Sequence, residues 1–310
     1  MKFKLGNVEV RIARANAKKK EGVISHNDLT SINDDHLDYI NSLSADELQS
    51  RLDSVSVSDL ESEENLTKAS QLLKDEGIFL VPNFLDENTV ADIQAANEKL
   101  KVKLKELESK KAGFYEDDEL VVQSTDVRIS RYSDLVNYGK PVVYVRQDDD
   151  LGMMDIFNYD QLPGISQLNL DKIAEKESLL KVASNRDTPL SLSNINIYFN
   201  KGNKSRGGFH YDDFNNNIKA FIYTLDAKLE NGPYCYVKGT HTDGSYRLIN
   251  KLVSKNYGLN DTEAPLLPVQ NIIPAMGKSG TLVVSDQTGI HRGLPQGKDK
   301  ERALLVIRYK

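Results

Sequence analysis

The feature that most constrains the fold is a succession of short segments, from Pro189 to Tyr309, separated by turns rich in Gly, Pro and Asn. In Asn194–Asn200 polar and apolar residues alternate strictly, which predicts a strand with one packed face. Further strands are predicted at Ile218–Leu225, Tyr234–Val237, Gly280–Asp286 and Arg302–Tyr309. Several short strands divided by such turns indicate a β-sandwich or a barrel, so we expect a mainly β fold with flanking helices.

The preceding part of the chain is predicted to be largely helical. Apolar residues at helical spacing predict a helix that ends at Gly77, a longer helix over Glu87–Lys110 and a third over Asp171–Val182. A short buried strand, Ile78–Val81, is predicted between the first two. The stretch 243–274 is interpreted as looser, and we expect a loop there.

Residues 1–69 are predicted to be a polar N-terminal arm. They are rich in Ser, Asp, Asn and Glu and lack a sustained apolar period, although Ser44–Glu47 fits a helix-capping box. We therefore expect short helices that dock loosely and are partly flexible. His26 and His36 lie among acidic and amide residues here, where surface exposure is the expected state.

A possible metal site is carried by His210 and Asp212, two residues apart in a segment with strand character. Side chains at positions i and i+2 of a strand share a face, so this imidazole and carboxylate can converge on one point. The remaining ligand must be a distant histidine, for which His241 and His291 are the candidates among the predicted strands.

Arg302 decides between the two metal ions that such a set of two histidines and one carboxylate could bind. Two histidines and one carboxylate suit Fe(II) with three coordination positions left open, but Zn²⁺ accepts the same donors. Arg302 begins the last predicted strand, eleven residues after His291, where a hairpin would bring it alongside the metal site. A guanidinium can hold a carboxylate through two parallel hydrogen bonds, as a metal-bound 2-oxo acid with a distal carboxylate requires. The combination favours iron.

Composition excludes several other classes of protein. The net charge is −6 and the basic cluster Arg11–Lys20 is balanced by acidic runs, so a nucleic-acid partner is not expected. No apolar run approaches the roughly 18 residues that span a bilayer, and the start lacks the apolar core of a signal peptide. The single cysteine, Cys235, excludes an intrachain disulfide. We expect a cytoplasmic protein without a membrane partner, and the oligomeric state stays open.

Over residues 72–309, the chain resembles the phytanoyl-CoA dioxygenase family of Fe(II)/2-oxoglutarate-dependent oxygenases. The matching features in chain order are Lys74–Pro82, His210 with Asp212, Asn231–Pro233, Lys238–His241, Gly280–Asp286, His291 and Arg302. The resemblance implies a double-stranded β-helix, which is a cupin-like jelly roll, with helices packed outside it. It makes residues 70–310 a jelly-roll dioxygenase domain and leaves residues 1–69 outside the match.

The resemblance also implies roles for individual residues. His210, Asp212 and His291 would be the facial triad that binds Fe(II), and Arg302 would bind the C5 carboxylate of 2-oxoglutarate. Tyr223 corresponds to an aromatic residue beside the cosubstrate. Independently of the resemblance, alternation places Asn196 on a polar strand face that would look into a ligand cavity if the strand lines a barrel, and otherwise into bulk water. Gly293 stands where some members carry a hydroxyl residue, so that hydrogen bond is expected to be missing or to come from elsewhere.

The implied reaction consumes 2-oxoglutarate and O₂, releases succinate and CO₂, and hydroxylates an unactivated C–H bond of a small-molecule metabolite. Asp212 favours hydroxylation, desaturation or ring closure, because related halogenases carry a small residue there. The segments 113–190 and 242–274 are expected to form the pocket entrance, with Arg128 and Arg131 as a possible anion-binding pair. Two other functions stay open, a cupin-type metal-dependent isomerase or hydrolase and a non-catalytic jelly-roll binding protein.

Overall fold

The structure is a computed structural model that describes residues 2–5, 8–11, 26–108, 114–124, 132–145, 153–184, 190–202, 208–212, 217–257 and 260–309. The described helices are α1 (His26–Ser42), α2 (Ala45–Asp53), α3 (Glu63–Asp75), α4 (Glu87–Glu108), α5 (Tyr132–Val136), α6 (Leu170–Ala174), α7 (Glu177–Ala183) and α8 (Gly244–Tyr257). The strands of the first half are β1 (Lys2–Leu5), β2 (Val8–Arg11), β3 (Ile78–Val81), β4 (Phe114–Glu116), β5 (Val121–Ser124), β6 (Val142–Val145) and β7 (Met153–Phe157). Those of the second half are β8 (Leu192–Lys201), β9 (Ile218–Tyr223), β10 (Tyr234–Val237), β11 (Ile272–Pro274), β12 (Leu282–Asp286), β13 (His291–Gly293) and β14 (Glu301–Tyr309).

The described strands form one large sheet, one small sheet and a separate hairpin. The large sheet has nine strands in the order β3-β12-β9-β14-β8-β7-β6-β5-β4, and the small sheet has three in the order β11-β10-β13. Aromatic residues of the two sheets meet between them, because the rings of Phe221 on β9 and Tyr234 on β10 lie 4.6 Å apart. The expected double-stranded β-helix with helices outside it is confirmed.

Alternation along the central strands separates two apolar clusters. On the outer face of the large sheet, Ile197, Ile222 and Leu305 occupy neighbouring strands and belong to the cluster that includes residues of α3, α4, α6 and α7. On the inner face, Phe221 and Val306 belong to a second cluster with residues of the small sheet. The site described below lies on this inner side.

The N-terminal segment packs more closely than the sequence indicated. Ile40 of α1 is 1% exposed, and Val55, which follows α2, is 0% exposed. The backbone N–H of Leu80 in β3 donates to the carbonyl of Val55 at 2.8 Å. The expected loose docking is therefore wrong for these described parts, because apolar residues spaced too irregularly to predict helices are buried by tertiary contacts. The division of the chain at residue 69 stays a prediction.

Helix α8 replaces the loop expected after residue 242. Its buried positions include Asn250 and Ser254, both 0% exposed, and the Asn250 amide exchanges two hydrogen bonds with the backbone of Leu266. Leu248, Ile249, Leu252 and Val253 stand at helical spacing, so the sequence carries a signal for this helix that the expected loop overlooks. The predicted helix at 171–182 is instead two short helices, α6 and α7, which are interrupted at Glu175 and Lys176.

Within the described ranges, every helix is too short or too polar to cross a lipid bilayer.

Candidate metal centre

His210 and His291 are brought together by the backbone. Each donates its N–H to the carbonyl of the other at 2.9 Å, as in a hydrogen-bonded pair of an antiparallel ladder. Their side chains consequently emerge side by side, with ring centroids 4.8 Å apart. The segment at His210 is an isolated bridge, so the predicted regular strand there is absent, yet the pairing still places both imidazoles on one face.

Both imidazoles are oriented by the chain just before them. Nδ1 of His210 lies 3.1 Å from the carbonyl oxygen of Gly208, and Nδ1 of His291 lies 2.9 Å from that of Gly289. A carbonyl only accepts, so Nδ1 carries the proton in each ring and Nε2 presents a lone pair. This is the arrangement in which a neutral histidine binds a metal ion.

The carboxylate of Asp212 faces those two lone pairs. Its Oδ1 lies 3.6 Å from Nε2 of His210 and 3.4 Å from Nε2 of His291, while Oδ2 is bound by the ammonium of Lys219. Burial would raise the pKa of Asp212, but the ammonium of Lys219 outweighs it and holds that pKa well below its ordinary value. Burial lowers the pKa of His291, which is 4% exposed, so its ring is neutral near pH 7.

A tight turn sets the position of His291. The Asp286 carboxylate accepts hydrogen bonds from the backbone N–H of Thr288 at 2.9 Å and from its hydroxyl at 2.8 Å. Gly289 packs against Tyr236 so closely that a Cβ there would lie 2.0 Å from the tyrosine oxygen. A side chain at residue 289 would therefore displace the turn that aims His291.

Arg302 lies next to the same strand of the small sheet. A Cβ at Gly293 would be 3.0 Å from Nη2 of Arg302, and Gly293 shares a face of β13 with His291, two residues away. Arg302 donates to the carbonyl of Gly232 and, at 3.3 Å, to Oδ1 of Asn200, while its buried Nε has no hydrogen-bond partner among the described residues. Within the same ranges no carboxylate pairs with it. A partly buried guanidinium whose enclosed Nε is still an unused donor fits an anionic ligand.

Two other predicted site residues lie on the inner face with different partners. Tyr223 is fully buried, and its hydroxyl donates to the carbonyl of Ala275 at 2.6 Å while accepting from the N–H of Tyr234. Since the Tyr223 hydroxyl already donates its proton to Ala275, these contacts favour a role in packing. Asn196 is fully buried and accepts from Asn194 at 2.6 Å. Cosubstrate binding by either residue stays a prediction.

The remaining histidines lie outside the cluster. Nε2 of His241 is 2.9 Å from the carbonyl of Lys74, and the described group of metal-binding type consists of His210, Asp212 and His291. His36, expected at the surface, is instead 6% exposed and packs edge-on against Phe209 with centroids 5.6 Å apart. Arg128 and Arg131 lie outside the described residues.

Sequence reasoning missed two neighbours of the triad. Lys219 is a lone charge in the apolar segment Ile218–Tyr223, and alternation from Tyr223 could have placed it on the inner face. Tyr234, with its ring 5.6 Å from that of His291, receives a hydrogen bond from Gln287 at 3.2 Å. No periodic signal marks Gln287, because it lies in the turn after β12.

The donor set fits ferrous iron with a chelating 2-oxo acid. Two imidazoles and a carboxylate lie on one side of a common point, with ligand atoms within 4.8 Å of one another. Zinc would accept the same atoms. The guanidinium of Arg302, with an unpartnered Nε and Gly293 beside it, is chemically suited to a distal carboxylate.

Comparisons with known proteins agree with this chemistry. The profile of the phytanoyl-CoA dioxygenase (PhyH) family matches residues 205–303. AviO1 from Streptomyces viridochromogenes Tue57 has a TM-score of 0.50 and 16% identity over 78% of this chain and 93% of that chain. At such identity the similarity to AviO1 shows a common fold alone.

Two further solved structures have lower scores. SnoN, described as a non-heme alpha ketoglutarate dependent epimerase from nogalamycin biosynthesis, has a TM-score of 0.48 and 13% identity over 80% of this chain and 84% of that one. EctD from S. alaskensis with bound Fe has a TM-score of 0.48 and 15% identity over 81% and 77%. No curated protein sequence matches the chain.

Proposed function

The chain belongs to the phytanoyl-CoA dioxygenase family through residues 205–303, and from this premise we propose that it is an Fe(II)/2-oxoglutarate-dependent oxygenase that hydroxylates an unactivated C–H bond of a small molecule. Its cofactors are Fe(II), 2-oxoglutarate and O₂, and succinate and CO₂ are the coproducts. His210, Asp212 and His291 bind the iron, and Arg302 binds the C5 carboxylate of 2-oxoglutarate.

The observation that carries the proposal is the conjunction of the triad with the guanidinium of Arg302, whose Nε has no hydrogen-bond partner among the described residues. A hydrolase or isomerase that uses zinc needs the three donors but has no need for a carboxylate clamp beside them. A binding module needs neither the aligned Nε2 atoms nor the clamp. In this chain Gly293 lies between the two features, two residues from His291 and in contact distance of Arg302.

Each residue of the site has a separate task. The carbonyls of Gly208 and Gly289 hold the imidazole protons on Nδ1, so that both Nε2 atoms are available as ligands. His210, Asp212 and His291 would hold the iron from one side, and bound iron would supply the oxidative chemistry for which 2-oxoglutarate and O₂ are cosubstrates. The buried rings of Phe221 and Tyr234 limit the access of water from the interior side.

Substrate is expected to contact the inner face of the large sheet beyond the triad. Alternation places Gln123 of β5, Asp155 of β7 and Tyr198 of β8 on this face, and the first two are 2% and 1% exposed. Polar groups on this face suit a small molecule with several hydrogen-bonding groups rather than a hydrocarbon. The neighbouring segments of 113–190 and 242–274 form the entrance in this proposal.

The test is an anaerobic titration of the purified chain with Fe(II) and 2-oxoglutarate, followed by exposure to O₂. We expect a visible charge-transfer absorption on 2-oxoglutarate binding and then slow release of succinate even without substrate. Asp212→Ala should lower succinate release by more than about a hundredfold, since it removes a metal ligand rather than an outer partner. Asp46→Ala, which removes an exposed carboxylate from the first turn of α2, is the matched control.

Screening of metabolite mixtures would then identify the substrate by faster succinate release and by a product one oxygen atom heavier. Desaturation or ring closure would give a product lighter by two hydrogen atoms and would contradict hydroxylation while preserving the oxygenase assignment. Zinc-dependent turnover that is unaffected by Arg302→Ala would favour the isomerase or hydrolase. Absence of both absorption and succinate in the wild-type chain would contradict the proposal.

A further inference from the structure

Lys219 occupies an unusual position for a lysine, because it lies inside the sandwich. It is 8% exposed, and it is the one charged residue in β9, whose six residues are all buried. Its cross-strand neighbours are Ser285 on β12 and Arg308 on β14. Taking an ammonium out of water is costly unless it has a partner, so the site must compensate for that cost.

The partner is one particular oxygen of the triad carboxylate. The Lys219 ammonium donates to Oδ2 of Asp212, whereas Oδ1 is the oxygen that faces Nε2 of His210 and His291. The two oxygens therefore have different environments. A carboxylate without such a partner can rotate about its terminal bond or bind a metal ion through both oxygens.

We propose that Lys219 is a positioning residue that holds Oδ2 of Asp212 and thereby presents Oδ1 alone to the metal ion. This role rests on the proposed function, since it concerns the same iron site. With one oxygen engaged by Lys219, Asp212 occupies a single coordination position. The open positions that a chelating 2-oxo acid and O₂ require are thus protected from the second oxygen.

The backbone supports this arrangement independently of the side chains. The N–H of Asp212 lies 3.3 Å from the carbonyl of Gln287, which ties its main chain to the turn that leads to His291. Lys219 lies on a different element, the fully paired strand β9 between β12 and β14. The carboxylate is consequently fixed from two sides, by the turn at its backbone and by a rigid strand at its oxygen.

The experiment compares Lys219→Met and Lys219→Arg with the wild-type chain. Fe(II) is titrated anaerobically by calorimetry, and the absorption of the Fe(II) and 2-oxoglutarate complex is recorded. We expect Lys219→Met to bind Fe(II) about 10- to 100-fold more weakly, the usual effect of losing a group that orients a metal ligand. We also expect its absorption maximum to shift, because the coordination of Asp212 changes. Lys219→Arg, which keeps a cationic donor, should retain most of the wild-type affinity and the wild-type absorption.

Lys201→Met is the matched control, because Lys201 pairs with Glu301 at 2.8 Å but is 68% exposed at its side chain and lies outside the triad. Thermal unfolding of all variants checks that each one folds. Fe(II) affinity of Lys219→Met within about threefold of wild type, with an unchanged absorption, would overturn the inference, as would equal losses in Lys219→Met and Lys219→Arg.

The outcome can be separated from that of the proposed function. A wild-type chain that binds Fe(II) but releases no succinate would contradict the oxygenase proposal, and the comparison of Fe(II) affinities would still test Lys219. Normal succinate release together with an unchanged Lys219→Met variant would overturn the role of Lys219 alone. A wild-type chain without affinity for Fe(II) would overturn both.

Discussion

The two faces of the central strands β8, β9 and β14 differ in chemistry although their residues alternate along the same strands. The outer face is apolar, with Ile197, Ile222 and Leu305 side by side under the helices. The inner face carries Lys219 and Arg302 among apolar and aromatic residues. Because successive side chains point to opposite faces, adjacent residues of one strand contribute either to the apolar packing surface or to the surface that carries the candidate site.

The difference separates residues that mainly stabilise the fold from residues that we assign to the candidate site. Apolar side chains on the outer face are buried with favourable free energy and without the need for specific partners. Buried cations on the inner face cost free energy unless they are paired, so their presence requires a purpose other than packing. Substitutions on the two faces should therefore change different measured quantities.

The largest effect is expected for Arg302→Met on the inner face. Loss of the guanidinium removes the proposed partner of the C5 carboxylate, and truncation of such a buried charge pair costs about 4 kcal/mol. The KM for 2-oxoglutarate should rise by close to a thousandfold, with a smaller change in the kcat of uncoupled succinate release. Steady-state kinetics with varied 2-oxoglutarate measure both constants.

Arg302→Lys serves as the control for charge without the planar geometry of a guanidinium. It should recover only part of the affinity, because an ammonium cannot form two parallel hydrogen bonds with one carboxylate. If Arg302→Met left the KM for 2-oxoglutarate unchanged, the carboxylate would be bound elsewhere and the inner face would lose its assigned role.

A second comparison uses the neighbouring residues Leu304 and Leu305 of β14, which point to opposite faces and are 3% and 2% exposed. Leu305→Ala leaves a cavity in the outer cluster and should lower the free energy of unfolding by about 3 kcal/mol. Its kcat/KM should stay near that of wild type at a temperature where the variant is folded. Denaturant titration and succinate release measure the two quantities.

Leu304→Ala is the matched variant on the inner face. Leu304 is the cross-strand neighbour of Tyr223 and Tyr198, so its truncation should loosen the surface beside Arg302 and reduce kcat/KM in addition to stability. Equal kinetic effects of Leu304→Ala and Leu305→Ala would contradict the separation of the two faces.

Alternation was enough to predict much of this arrangement. The strands at Ile218–Leu225, Gly280–Asp286 and Arg302–Tyr309 were predicted within a few residues of their observed bounds, because burial on both faces gives a continuous apolar or regularly alternating pattern. The meeting of His210 with Asp212 follows from local spacing. The partner of Asp212 on β9 does not, because cross-strand register depends on tertiary pairing that a single sequence does not specify.

Helices α8 and α1 were not predicted from the sequence, and both depend on tertiary contacts. Asn250 of α8 satisfies the backbone of Leu266 through two hydrogen bonds, a tertiary contact that the sequence pattern does not specify. The N-terminal helix α1 is buried through scattered contacts such as Ile40. Both elements are stabilised mainly by tertiary contacts, which propensity and period do not report.

The outer face of the small sheet departs from the apolar pattern of the large one. Arg292 follows His291 in β13 and points to the opposite side, where it is 2% exposed and lies over the ring of Phe209 with a distance of 5.5 Å to the centroid. The ring of His36 in α1 packs edge-on against the same Phe209 ring. A cation and a histidine are thus buried directly behind the proposed metal ligands.

The smallest effect we predict comes from this buried histidine. Burial, with a further contribution from Arg292, lowers the pKa of His36 to about 4, so the folded chain holds it neutral while the unfolded chain protonates it near pH 6.5. Its contribution to stability is complete above pH 6.5 and is lost as the pH falls from 6.5 towards 4. The loss should be about 2 kcal/mol at pH 5.

The measurement is the free energy of unfolding of the wild-type chain and of His36→Leu between pH 7.5 and pH 4.5, by denaturant titration. The difference between the two should shift in favour of His36→Leu as the pH falls, because leucine has no proton to bind in the unfolded chain. Parallel pH profiles would mean that His36 titrates normally and is therefore exposed to water rather than buried. In that case no buried histidine would distinguish the outer face of the small sheet. The contrast between an outer packing face and an inner face with charged residues would then hold for both sheets.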